Sequence, residues 1–276
     1  MSGKLYVVGT PIGNLGDFSE RAKETLALVD FIAAEDTRVT LKLLNKFGIK
    51  KPMLSYHEHN KQSRHREIVD RIIKGENCAI VTDAGMPAIS DPGEDLVRLC
   101  HDEGVEVESV PGPSALVTAL AISGFPSGRF CFEGFLTVNK VGRREHLEEI
   151  KNETRTLIFY EAPHKLLATL RDMKKAFGER EIALVKELTK LHETVERTTL
   201  TKAIEKYSET PPKGEFVLII NGAEKQKTEK EFSLNDAVEI ALSLQKDGMP
   251  ASSAAKRAAA ETGIKKGDIY KIISNT

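Results

Sequence analysis

Short runs of β-branched and aromatic residues, each followed by a turn-rich loop and a stretch of helical spacing, constrain this chain more than any other feature. KLYVV at 4–8 stops at Gly9, and the loop TPIGNLGD follows. Ser19 stands where it can cap a helix that places Ala22, Leu26 and Val29 on one face, and DFIAA then reads as a second buried strand. After EDTR comes a helix, TLKLLNKF, closed by Gly48. The rhythm continues through a helix around Arg66 to Lys74, the strand CAIV, the loop VTDAGMPAISDPG, the helix GEDLVRLCHDEG, the strand VEVESV, the loop PGPS and the helix ALVTALAI. Strands spaced by helices of this length predict a largely parallel sheet, an α/β domain over 1–120.

The pattern restarts near Arg129 with FCFEGFL, a basic loop NKVGRREH, the strand TLIFY and a helix from His164 to Phe177. EIALVKE, ETVERTTL, a helix TKAIEKYSE and EFVLIING follow. ETVERTTL alternates polar with apolar and is one short helix away from EFVLII, so this second α/β domain, 121–222, is expected to hold a mixed sheet. AEKQKTEKE at 223–231 is almost wholly polar and reads as a linker. Beyond it, three short helices capped by Ser233 and Ser252 and separated by Gly248-Met249-Pro250 and Gly263 predict a small helical domain over 232–276, resembling a helix-turn-helix. Its lysines and Arg257 suit either nucleic-acid contact or an ordinary solvated face.

A chain of 276 residues, 40% hydrophobic, buries a sizeable core. Lys plus Arg (40) nearly cancels Asp plus Glu (41), so affinity for a polyanion has to come from a local patch. Cys78, Cys100 and Cys131 show no ligand spacing and read as reduced core thiols. No apolar run is long enough to span a bilayer and the amino end lacks a secretory pattern, which makes the cytoplasm the expected compartment and a membrane an unexpected partner.

The loop at 81–93 lies where an α/β protein commonly holds phosphate, yet it carries Asp83 and Asp91 and no lysine. GK[ST] is absent, and Gly9-Thr10-Pro11-Ile12-Gly13 is not GxGxxG. A cationic ligand with hydroxyls and no phosphate suits an acidic, glycine-shaped loop better, and S-adenosylmethionine is such a ligand. A plainer reading makes Asp91 a helix cap followed by Pro92 at the first helical position, and leaves Asp83 without a structural reason.

VGTPIGNLGDFSERA, IAAEDTR, SYHEHN, TDAGMPAISDPG, PGPSA, SGFP, FEGFL, FYEAPHK, KELTKLHE and KGEFVL occur in this order over residues 5 to 220. Together they resemble the bacterial small-subunit ribosomal RNA (cytidine-2′-O-)-methyltransferases of the tetrapyrrole-methylase-like, class III group of S-adenosylmethionine enzymes. The resemblance implies two α/β domains with the cofactor in the cleft between them, a homodimer, and ribosomal RNA or the small ribosomal subunit as partner. It also implies cofactor contacts at Pro11 and Ile12, at Asp83, Ala84, Gly85, Met86, Ala88, Ile89 and Ser90, and at Ser114 and Ala115. From the second domain it implies contacts at Phe159, Tyr160, Leu188, Gly214, Glu215 and Phe216. Met86 departs from the usual threonine, and FLTVNKVGRR from a pattern that begins FLP and is richer in lysine.

Methyl transfer to a ribose hydroxyl needs alignment and a group to take a proton. The motifs peculiar to the ribosomal RNA branch offer Glu35, Asp36, His57, Glu58 and Lys186, with His59, Glu187, Lys190 and His192 beside them. Arg38 pairs equally well with Asp36 or Glu35, and no metal is expected. For the RNA phosphates the candidates are Arg38, Arg64, Lys140, Arg143, Arg144, His164 and Lys165, with Arg66 nearby. Tyr56, Phe132 and Phe135 are the aromatics available for stacking a base. A same-fold enzyme acting on a tetrapyrrole or other small molecule, and a non-catalytic RNA-binding assembly factor, remain as alternatives.

Overall fold

A computed structural model describes residues 2–224 and 232–274. Contacts divide the chain into two compact units, Met1–Ala223 and Glu224–Thr276. The linker expected at 223–231 lies, beyond Glu224, outside the described residues.

The first sheet is built from β1 (Lys4–Val8), α1 (Glu20–Leu28), β2 (Phe31–Ala34), α2 (Thr37–Lys46), β3 (Met53–Ser55), α3 (Lys61–Ile73), β4 (Cys78–Val81), α4 (Glu94–Asp102) and β5 (Glu106–Val110). Its strands are all parallel, in the order β3-β2-β4-β1-β5. β2 and β4 are apolar at every position because both faces are covered. Ala22 and Leu26 of α1 with Leu44 of α2 bury one face, and Ile68 and Ile72 of α3 with Leu96 and Cys100 of α4 bury the other. Each of the leucines and isoleucines among them contributes roughly 1.5–3 kcal/mol through burial. Ser19 caps α1 by accepting from the Ala22 amide, and Gly48 takes the left-handed conformation after α2. β3 is not foreseen by the sequence, since three residues behind Pro52 are too few for an alternation to register.

The second sheet follows α5 (Ala115–Ser123), with β6 (Phe130–Phe135), α6 (Lys140–Glu149), β7 (Thr156–Glu161), α7 (Pro163–Phe177), β8 (Glu181–Lys186), β9 (Thr194–Thr199), α8 (Leu200–Glu209) and β10 (Phe216–Ile220). Its order is β6-β7-β10-β8-β9, with β6 parallel to β7 and the remaining pairs antiparallel, a mixed sheet. α5 covers one face: Leu116, Ala119 and Leu120 pack with Ile158, Val185, Val217 and Ile219. Leu147 of α6, Leu166 and Leu170 of α7 and Leu200 and Ala203 of α8 cover the other. Residue 120, the boundary expected from the sequence, falls inside α5.

The second unit contains α9 (Leu234–Lys246), α10 (Ala251–Thr262) and α11 (Lys266–Ile273) around a core of small and aliphatic side chains that includes Ala241, Ala254, Ala258 and Ile269. Ser233 and Asp236 form a reciprocal capping box at α9. Ser252 is not a cap: α10 begins at Ala251 behind Pro250, and the Ser252 hydroxyl instead accepts from Lys266 Nζ at 3.1 Å. Among the described residues no helix is long and apolar enough to cross a membrane.

Candidate active site

At the carboxyl ends of the parallel strands, where open α/β sheets place their ligands, the loops after β1 and β4 face strand ends of the second sheet. They enclose a cavity of about 430 Å³, large enough for a cofactor. Thr10 and Gly85 bridge the two loops through reciprocal backbone hydrogen bonds of 2.9 and 3.2 Å. Gly9 and Gly112 back the cavity in direct backbone contact; a Cβ on Gly112 would lie 2.8 Å from the Gly9 Cα and carbonyl carbon. No larger residue fits there.

The lining is acidic. Glu35, Asp83, Asp91, Glu161 and Glu215 belong to it, Glu161 with its carboxylate tied to the Ala162 amide and the Thr169 hydroxyl and Glu215 paired with Lys190 at 2.8 Å, and among the described residues no lysine, arginine or histidine lines the cavity. Glu35 Oε2 accepts from the Thr82 hydroxyl and, at 3.3 Å, from the Asp83 amide. Asp83 Oδ1 accepts from the Asp36 amide at 3.2 Å, so Asp83 does have a structural partner. Burial, and then Glu35, raise the Asp83 carboxyl above its ordinary value. The same two causes push Asp91 up to about 6. Asp91 is not the cap the sequence suggests: α4 begins at Glu94 behind Gly93, and Asp91 turns into the cavity beside Thr82 instead.

The loops that carry these groups are held in costly shapes. Ala88, Ser90, Glu187 and Thr189 are the non-glycine residues with left-handed backbone among those described, and they fall in the loop after β4 and the loop after β8. The second of these is fixed by Glu187, which accepts from the Glu215 amide at 2.9 Å and from Lys190 Nζ at 3.1 Å. Gly214 makes room for it, since a Cβ there would meet the Glu187 side chain at 2.6 Å.

Of the residues expected to touch the cofactor, Ile12, Asp83, Ala84, Gly85, Met86, Ile89 and Ser90 line the cavity from the first sheet. Ser114, Ala115, Tyr160, Leu188, Glu215 and Phe216 line it from α5 and the second sheet. Pro11, Ala88, Phe159 and Gly214 do not. Successive strand residues face opposite ways, so Phe159 is buried beneath the sheet while Tyr160 reaches the cavity and accepts from the Leu116 amide at 3.1 Å. Thr82, Asp91, Phe135, Ala162, Val185 and Val217 line it without having been singled out as cofactor contacts; the alternation along β8 and β10 was the signal for the two valines.

Beside this cavity is a second, of about 550 Å³, lined by His57, Glu58, His59, Lys61 and the first turn of α4. Of the proton-acceptor candidates, Glu35 borders both cavities, and His57 and Glu58 border the second. Asp36 borders neither: its carboxylate caps α2 and holds Arg38 at 2.6 and 3.0 Å, which lowers it to about 2. Lys186 pairs across the sheet with Phe216 and Thr194 and also lines neither.

The expected basic loop is a helix. Asn139 caps α6 by accepting from the Val141 and Gly142 amides, and Arg143 turns inward to pair with Asp172 of α7. Lys140, Arg144 and His164 remain exposed, Lys165 is half-buried, and Arg64 pairs with Glu67.

S-adenosylmethionine fits this lining. The Glu35, Asp83 and Asp91 carboxyl groups suit its ammonium, sulfonium and ribose hydroxyls, apolar Met86, Leu188 and Val217 suit a flat base, and these three carboxyl groups disfavour a polyphosphate. The fold and this pocket define an α/β methyltransferase that uses S-adenosylmethionine. The chain belongs to the tetrapyrrole (corrin/porphyrin) methylase family, which matches residues 4–204. It is 46% identical over 273 residues to the ribosomal RNA small subunit methyltransferase I of Synechocystis, covering 98% of this chain and 97% of that one. The protein of the same name from Thermotoga maritima is 50% identical over 222 residues, which are 80% of this chain and all of that one. Among solved structures, uroporphyrin-III-C-methyltransferase from Thermus thermophilus superposes with a TM-score of 0.56 at 17% identity, over 79% of this chain and 94% of the other, a likeness of fold.

Proposed function

We propose that this protein, a cytoplasmic homodimer, transfers a methyl group to the 2′-oxygen of a cytidine ribose in the RNA of the small ribosomal subunit. The near-full-length similarity to proteins named for small-subunit ribosomal RNA carries the choice of acceptor. When bound, S-adenosylmethionine supplies an electrophilic methyl on a positively charged sulfur. The chain's own residues bind, orient and shield. Asp83 and Glu215 take the donor's ammonium and hydroxyl groups, Ile12, Met86 and Leu188 enclose its base, and the loops around Gly85 and Ser114 supply backbone donors and acceptors. Alignment of the acceptor oxygen with the methyl carbon supplies most of the rate gain.

The second cavity receives the acceptor nucleoside, and the exposed cations Arg38, Lys140, Arg144 and His164 with Lys165 meet phosphates along the strand. Phe135, edge-on to Tyr160 at 5.4 Å and exposed at the cavity mouth, offers a face on which an unpaired base stacks. The two sheets act as domains, the second beginning with α5 rather than at the expected residue 121, and the helices of 232–276 act as a third. The test is incubation of small ribosomal subunits and naked ribosomal RNA with labelled S-adenosylmethionine, followed by mapping of the modified nucleoside. Label on a cytidine ribose is expected. Label on a base, or on a tetrapyrrole but not on RNA, overturns the reading, as does failure to bind the donor in calorimetry.

A further inference from the structure

A methyl group passes directly from donor to acceptor, so the reacting atoms have to meet where the two cavities adjoin. The residues that line both are Glu35, Ser90 and Asp91. We propose that Asp91 accepts the proton of the acceptor hydroxyl and that Glu35, acting across the Thr82 hydroxyl, positions it for that role. The assignment rests on reading the first cavity as the donor pocket and the second as the acceptor pocket.

Elimination starts with chemistry. A serine hydroxyl does not hold a proton taken from another alcohol, and Ser90 serves instead to turn the chain, at φ 64°, so that Asp91 reaches the junction. Glu35 is already committed, with one oxygen receiving both the Thr82 hydroxyl and the Asp83 amide. Asp91 has no cationic partner among the described ion pairs, and its remaining polar neighbour is Thr82. Thr82 stands between the two carboxyl groups: its hydroxyl donates to Glu35, and its contact with Asp91 favours the ionised form, the one able to take a proton.

Charge points the same way. Glu35 and Asp83 face Asp91 from the ends of β2 and β4, and Tyr160 faces it from β7. His57, Glu58, His59, Lys61, Glu94 and Asp95 line the acceptor-side cavity along with it. Burial and the two carboxylates hold Asp91 at about 6, within reach of neutral pH and suited to a general base. A bound sulfonium favours its ionised form, and conversion of that sulfonium to a neutral thioether removes the effect at the moment the proton arrives. In the balanced step the O–H electron pair of the acceptor forms the new O–CH3 bond. The C–S pair stays on sulfur, giving S-adenosylhomocysteine, and the proton rests on Asp91.

The experiment combines kinetics, calorimetry and carboxyl NMR. Asp91→Asn should lower kcat on ribosomal subunits saturated with donor by about 100-fold or more, in the range a general base supplies. In wild-type enzyme free of ligand, the 13C-labelled Asp91 carboxyl should titrate near 6, and in Glu35→Gln it should titrate lower. The acid limb of the Glu35→Gln rate profile should move to lower pH with it. Asp91→Asn turning over within threefold of wild type overturns the proposal, as does a Glu35→Gln variant whose carboxyl titration and acid limb stay in place. A wild-type enzyme that binds the donor but methylates no ribosomal RNA overturns the acceptor reading and this proposal with it. A wild-type enzyme that transfers alongside an equally fast Asp91→Asn overturns this proposal alone.

Discussion

Asp91 sits in the folded chain at an energetic disadvantage of known sign. Its carboxyl is raised from 3.8 to about 6, so the native state holds that proton more tightly than the unfolded one does. Stability is then lost as pH rises from about 4 through 6, and asparagine, which cannot ionise, escapes the loss. We expect Asp91→Asn to melt higher than wild type at pH 8, by on the order of 1 kcal/mol after discounting for solvent contact, with the gap closing at pH 4. Thermal denaturation at the two pH values checks this. Gly112 gives the opposite case: Gly112→Ala drives a Cβ into the Gly9 backbone and should cost about 1–3 kcal/mol in urea denaturation while weakening donor binding in calorimetry. At this scale the sequence was informative about residue type and silent about partners. It singled out Asp83, Gly85 and Ser90 on one loop, and the structure brings all three to the wall of the cavity. It read Asp91-Pro92 as a cap because the dipeptide alone does not reveal that Glu35 and Thr82, 56 and 9 residues earlier, arrive beside it.

Elements were easiest to read where burial on both sides left an unbroken apolar run, as in β2, β4 and β10. They were hardest where local chemistry suggested a turn. Asn139 and Gly142 made 139–146 look like a basic loop, yet Arg143 and Leu147 are one helical turn apart and share the buried face of α6. Arg143 reaches Asp172 with Nε at 2.8 Å and Nη2 at 2.5 Å, and both side chains are largely shielded. Removing one partner strands the other, so Arg143→Ala should cost about 3 kcal/mol in urea denaturation, and the pair Arg143→Met with Asp172→Leu should recover most of it. Arg144→Ala, on the exposed side of the same helix, should leave stability within about 0.5 kcal/mol and lower affinity for ribosomal RNA with a shallower salt dependence.

For the molecule as a whole, the order of strands and helices pointed to two α/β sheets, and the mixed character of the second was legible in ETVERTTL. The packing of α5 onto the second sheet was not, because a uniformly apolar helix carries no mark of which sheet it covers. The terminal helices have a core of their own, separate from the cores beneath the two sheets. A chain ending at residue 222 should therefore fold, bind donor with unchanged Kd and methylate ribosomal RNA, with any loss confined to RNA affinity. Loss of donor binding on truncation would instead assign the terminal helices a part in the fold of the first unit.

The left-handed backbone at Ala88, Ser90, Glu187 and Thr189 has an implication for how this enzyme ages and adapts. Each such residue stores on the order of 1–3 kcal/mol, so the empty enzyme waits like a set spring and a ligand arriving there spends none of its affinity on arranging these loops. Heat should release that tension first at these same loops, and inactivation should precede global melting. Glycine at position 88 or 90 would trade rigidity for durability, which makes these positions informative ones to compare between enzymes of cold and hot habitats.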